Sequence, residues 1–156
     1  MTRPAVFALA AILFSVAIAA DEPPTEPLPA PPVHEVSFET SEGTWMGVDL
    51  HPDGTKFLFD LLGDLYELPI AGGQAVRLTS GTDWDGDARY SPDGATIVFA
   101  SDRGGNRHLW LMDADGSRPR ALTSDPATRY SDPAWTPDGE YVVARRRFTW
   151  IPRLSM

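Results

Sequence analysis

The tripeptide Pro-Asp-Gly occurs three times, at Pro52–Gly54, Pro92–Gly94 and Pro137–Gly139, with spacings of 40 and 45 residues. No other feature constrains the fold as strongly. Self-similarity at a period near 40–45 residues marks a chain of stacked supersecondary units, each burying a face against its neighbours. The copies agree beyond the tripeptide. Leu50, Tyr90 and Trp135 each stand two residues upstream of it. An apolar run follows each copy: Phe57-Leu58-Phe59, Ile97-Val98-Phe99 and Tyr141-Val142-Val143.

A second register lies downstream. Leu65-Tyr66 matches Leu109-Trp110, Gly72 matches Gly116, and Leu78-Thr79-Ser80 matches Leu122-Thr123-Ser124, all at an offset of 44. The change from 40 to 44 places four extra residues between Leu61 and His108, within Ser101–Arg107. Surface turns tolerate insertions and strand ladders do not, so that segment is a turn. Each unit then reads as four strands. The first ends just before Pro-Asp-Gly, where proline pre-sets φ and glycine takes positive φ. The second is Lys56–Asp60, repeated at Thr96–Ser101; the third is Leu65–Ile70, repeated at His108–Ala114; the fourth is Ala75–Thr79, repeated at Pro119–Thr123. Helices are excluded, because glycine or proline interrupts the chain about every ten residues and no 3.6-residue period persists. The expected class is all-β, a partial β-propeller of four-stranded antiparallel blades, two full and part of a third.

The segments YSPDGATIVFASDRGGNRHLWLMDADGSRPRALT and AWTPDGEYVV resemble the TolB-like, WD40-like repeats of bacterial envelope propellers, and the match runs over residues 45–145. Residues 43–73, GTWMGVDLHPDGTKFLFDLLGDLYELPIAGG, are similar to the opening blade of exported proteins that fuse such a propeller to a C-terminal amidohydrolase domain. The first resemblance implies a non-catalytic module that binds a protein or peptide. The second implies an accessory propeller of a metal-dependent hydrolase whose catalytic domain is absent from this chain.

The N-terminus reads as an export signal over residues 1–20. Arg3 supplies a positive start, Val6–Val16 is an unbroken apolar run, and Ala17-Ile18-Ala19 offers the small-x-small cleavage pattern. Cleavage is expected after Ala19 or Ala20, giving a periplasmic or secreted protein. The apolar stretch is at the short end of a bilayer span, and Asp21 and Glu22 follow it in place of basic stop-transfer residues, so stable membrane insertion is not expected. Residues 21–34 form a linker in which 21–33 hold six prolines; proline lacks the donor that a ladder needs, so an extended spacer is expected. Blades occupy residues 35–147, and 148–156 form an irregular tail. Glu35–Thr40 alternates polar and apolar residues and reads as a ring-closing strand whose partner blade is missing. Self-association through unpaired blade edges is therefore also expected.

The net charge of −9 becomes −10 without Arg3, which disfavours nucleic acid as a partner. The absence of cysteine excludes disulfides and thiolate metal sites. The three histidines, His34, His51 and His108, are scattered, with no His-x-His pair, and each reads as a turn or surface residue. No Gly-x-Ser-x-Gly elbow is present. Asp83-Trp84-Asp85-Gly86-Asp87 lacks the glycine and glutamate spacing of a calcium loop and reads as an inter-blade loop whose acids cap turns. Asp113-Ala114-Asp115-Gly116 reads as a hairpin turn, and Arg145-Arg146-Arg147 as a solvated strand or a ragged end. Tyr90, Phe99, Trp110 and Trp135 are expected to pack between blades. No catalytic, cofactor or metal residue is assigned, and no catalysis is expected of this polypeptide.

Overall fold

The computed structural model describes residues 39–148. The expected export signal, the linker, residues 35–38 of the expected closing strand and residues 149–156 of the tail lie outside the described residues. Ten strands follow in chain order: β1 Val48–Leu50, β2 Lys56–Leu61, β3 Asp64–Pro69, β4 Val76–Arg77, β5 Asp85–Tyr90, β6 Thr96–Ser101, β7 His108–Asp113, β8 Arg120–Ala121, β9 Thr128–Trp135 and β10 Val142–Phe148. They form three antiparallel sheets, β1-β2-β3-β4, β5-β6-β7-β8 and β9-β10, so every sheet is made of consecutive strands.

The Pro-Asp-Gly turns are the same turn built three times. Gly54, Gly94 and Gly139 have φ of 74°, 74° and 73°, a conformation that costs glycine nothing and other residues much. Their N–H groups donate to the carbonyls of His51, Ser91 and Thr136 at 2.8, 2.8 and 2.9 Å. The aspartates accept from the N–H two residues on: Thr55 to Asp53 at 2.9 Å, Ala95 to Asp93 at 3.0 Å and Glu140 to Asp138 at 3.0 Å. Each residue of the tripeptide thus has a defined task.

The second turn of each unit explains the change of period. Leu62 and Gly63 (φ 54° and 89°) join β2 to β3 directly, as a two-residue hairpin with both central residues at positive φ does. The equivalent turn between β6 and β7 is the longer Asp102–Arg107, and it carries the insertion. The fourth strands are shorter than expected, two residues each. Past them the Leu78 and Leu122 N–H groups donate to the Leu65 and Leu109 carbonyls, both at 2.8 Å, and the Thr79 and Thr123 hydroxyls accept from the N–H of Leu65 and Leu109, both at 3.0 Å.

Burial shows how the sheets stack. β5 packs against β1, β2 and β3 of the preceding repeat, and β9 packs against β5, β6 and β7, so the two seams are built alike. The first seam is filled by Leu58 and Leu65 from one side and Ala88, Tyr90, Ile97, Phe99 and Met112 from the other. Ile97, Val98, Phe99 and Ala100 are all fully buried, because β6 has a sheet on each face. The outward faces of the first and third repeats are open. Val48 and Leu50 are 52% and 47% exposed, although the matching Ala88 and Tyr90 are buried; Val143 is 63% exposed, although the matching Val98 is buried.

Candidate functional site

The first strands β1, β5 and β9 contact one another from sheet to sheet, whereas β4 and β8 contact only their own sheets among the described elements. The sheets therefore splay from a common inner edge made of first strands. On that edge β5 and β9 each carry a bulge, with register breaks between Gly86 and Arg89 and opposite Val143–Arg145. The bulged residues Asp87 and Asp132 have φ of 54° and 52°, the left-handed region that aspartate enters more readily than most residues. Gly47 occupies the same register in the first repeat. All three lie three residues before Leu50, Tyr90 and Trp135, a signal present in the sequence and missed there.

The bulges link one repeat to the next. Asp60 accepts from Gly47 N–H with Oδ1 and from Asp87 N–H with Oδ2, both at 3.1 Å. Asp87 in turn accepts from Asp132 N–H at 3.3 Å and from the Arg107 guanidinium at 2.9 Å. Asp132 pairs with Arg145 at 2.5 Å, both side chains more than half exposed. The inner edge thus carries the acids Asp60, Asp87 and Asp132 in series, held by bonds between repeats, with Arg107 and Arg145 paired to the last two.

A cleft of about 420 Å³ opens between the second and third Pro-Asp-Gly turns. Ser91, Pro92, Asp93 and Thr96 line one side; Trp135, Asp138 and Gly139 line the other. Trp135 Nε1–H donates back across the seam to the Arg89 carbonyl at 3.3 Å. Hydrogen bonds from the Ser91 and Thr136 hydroxyls hold the carboxyls of Asp93 and Asp138 below the usual carboxylate range, aided by the N–H of Ala95 and Glu140. Asp53 is held down to about 2 in the same manner, chiefly by the Thr55 side chain and backbone.

Two sequence readings are corrected. The Asp83–Asp87 segment is not a loop of capping acids beyond Trp84. β5 begins at Asp85, which is 2% exposed and pairs with Arg103 at 2.6 Å. The Arg103 guanidinium also lies over Phe99 and Trp110 at 5.2 and 5.1 Å, so the insertion supplies the cation that neutralises Asp85. His108 is not a surface residue. It starts β7, is 5% exposed, and its Nδ1 lies 3.3 Å from the Thr123 hydroxyl. His51 is in the turn as expected, but its ring is drawn into the first seam. His34 lies outside the described residues. Among the described residues no group of three or more His, Asp or Glu side chains is arranged to hold a metal ion. Tyr90 and Phe99 are buried in the first seam, with Trp110 packed against that core, while Trp135 forms a wall of the cleft. The Asp113–Gly116 segment closes the β7–β8 hairpin, with Asp113 bonded to Arg118. The arginine run sits on the exposed half of β10.

A family model described as the TolB beta propeller domain matches residues 37–150. The Tol-Pal system protein TolB of Anaeromyxobacter dehalogenans (strain 2CP-C) is 54% identical over 46 residues, covering 30% of this chain and 10% of that protein. The uncharacterized peptidase YuxL of Bacillus subtilis (strain 168) is 40% identical over 80 residues, covering 51% of this chain and 12% of that protein. The structure of a putative TolB from Agrobacterium tumefaciens superposes with a TM-score of 0.63 at 30% identity, covering 72% of this chain and 42% of that one. The matched segments span about a third or less of the curated relatives.

Proposed function

This chain belongs to the TolB β-propeller domain family, and from that membership we propose that it is an exported, non-catalytic module that binds a protein or peptide partner along the inner edge of its repeats. One observation carries the reading: the ion pairs Asp87–Arg107 and Asp132–Arg145, whose acids sit on the bulges of first strands that the seams lock together and whose arginines come from the β6–β7 turn and from β10. Half-exposed ion pairs contribute little to stability, but they give a partner a pattern of charge to match. The export expectation rests on residues 1–20. The exposed Val48, Leu50 and Val143 support self-association through the end repeats as a secondary property.

The test is capture from a periplasmic extract. The wild-type chain retains a defined partner, and Arg145→Glu, which sets a second acid beside Asp132, weakens retention at least about tenfold with an unchanged melting temperature. Equal retention by both proteins, or none by the wild type, overturns the reading.

A second reading follows from the likeness of residues 43–73 to the opening blade of propeller–amidohydrolase fusions. YuxL, named as a peptidase, likewise matches this chain over only 12% of its length. On that reading the repeats are an accessory propeller of a metal-dependent hydrolase. An open reading frame continuing past residue 156 into a His-x-His motif supports it, and a frame of further blades alone contradicts it.

A further inference from the structure

We propose that the cleft between the second and third Pro-Asp-Gly turns is a binding site for a planar organic cation, an imidazolium or guanidinium group. The first seam shows what such a site holds. There the repeat-equivalent space is filled by the protein's own His51. Its ring stands edge-on to Tyr90, with centroids 4.7 Å apart. Its Nδ1 lies 2.7 Å from Asp53 Oδ1 and its Nε2 lies 3.3 Å from the Gly94 carbonyl oxygen. The Lys56 ammonium lies with Nζ 5.8 Å from the Tyr90 ring centroid.

In the second seam the receiving groups recur and the His51 and Lys56 side chains do not. Trp135 replaces Tyr90, while Asp93 and Gly139 repeat Asp53 and Gly94. Ser91 and Thr96 stand where His51 and Lys56 stand. The space is correspondingly empty. A Cβ added to Gly94 would lie 2.6 Å from the His51 ring, whereas one added to Gly139 meets nothing nearer than Pro92 at 3.6 Å. The turn bonds of Asp93 and Asp138 use Oδ1 of each, leaving Oδ2 for a ligand. An aromatic wall, two ionised carboxylates and a backbone carbonyl are what a flat cation with N–H donors requires. The biological occupant we assign, a histidine or arginine side chain of a partner, rests on the protein-binding reading above. The small-molecule site does not.

The experiment is a ¹H–¹⁵N titration of the full chain with imidazole near pH 6, where the probe is largely protonated. Saturable shifts are expected at the Trp135 indole N–H and the backbone amides of Ser91 and Gly139, with Kd on the order of 1 mM for so small a ligand. Ser91→His restores the side chain of the first seam and should fill the cleft itself, weakening binding at least about tenfold. If that variant fails to fold, Thr96→Lys, which mirrors Lys56, serves in its place. Shifts of equal size in the variant, or shifts spread evenly over the surface, overturn the proposal. Imidazole binding without capture of any partner leaves the site standing and removes the partner; capture without imidazole binding does the reverse.

Discussion

Arg103→Ala is expected to lower the stability of the folded chain by about 3–5 kcal/mol, the cost of leaving a buried charge without its partner. Asp85 is 2% exposed and its Oδ1 has no hydrogen-bond partner, so the Arg103 contact at Oδ2 is its compensation. Arg103 is itself mostly buried, at 18% exposure, so solvent screening relieves little of the loss. The substitution also strips the guanidinium from Phe99 and Trp110. A urea titration should show the midpoint falling with little change in slope, and the melting temperature should drop by roughly 15 °C. The double variant Asp85→Asn, Arg103→Met should recover most of the loss, because both charges leave together. A loss below about 1 kcal/mol in the single variant would mean that water reaches Asp85.

The second large effect separates two residues that occupy the same register. Phe59 and Phe99 are equivalent by the offset of 40. Phe99 is fully buried, since the first repeat covers its face; Phe59 is only partly buried and stacks on Tyr66 with centroids 5.6 Å apart. Phe99→Ala should therefore cost about 3–5 kcal/mol, as loss of a buried aromatic with its cavity does. Phe59→Ala should cost about 1–2 kcal/mol, in proportion to the smaller area it removes from water. Chemical denaturation of both variants checks the pair. Equal losses would mean that the outward face of the first repeat is covered as completely as the seam.

The repeat architecture was legible because turn chemistry leaves its residues in the open. Pro52, Asp53 and Gly54 each have a local task, so their recurrence announced the turn, and the strand period followed between turns. The four-residue insertion was placed correctly, because only the β6–β7 turn had room for it. What stayed hidden depended on contacts between repeats. Asp85 looked like a loop acid, since nothing near it in sequence shows that Arg103 arrives over the same sheet. His108 looked like a surface residue, since its partner Thr123 lies just past β8, fifteen residues on in sequence. The bulges at Asp87 and Asp132 were written in register with Gly47, but aspartate marks so many turns that its presence drew no notice. The cleft needed both kinds of information: the exchange of His51 and Lys56 for Ser91 and Thr96 is visible in the repeats, and its consequence appears only where two turns face each other.

The structure is a stack of repeats in series, with β6 of the middle sheet buried on both faces and the inner edge held by bonds that run from repeat to repeat. Native-state hydrogen exchange read strand by strand tests it most directly. Such a stack opens from its ends, so the amides of Ile97, Val98 and Phe99 in β6 should exchange most slowly, those of β2 faster, and those of β10 fastest. Slowest exchange in β2 or β10, or equal exchange in all three strands at low denaturant, would contradict the stacked arrangement.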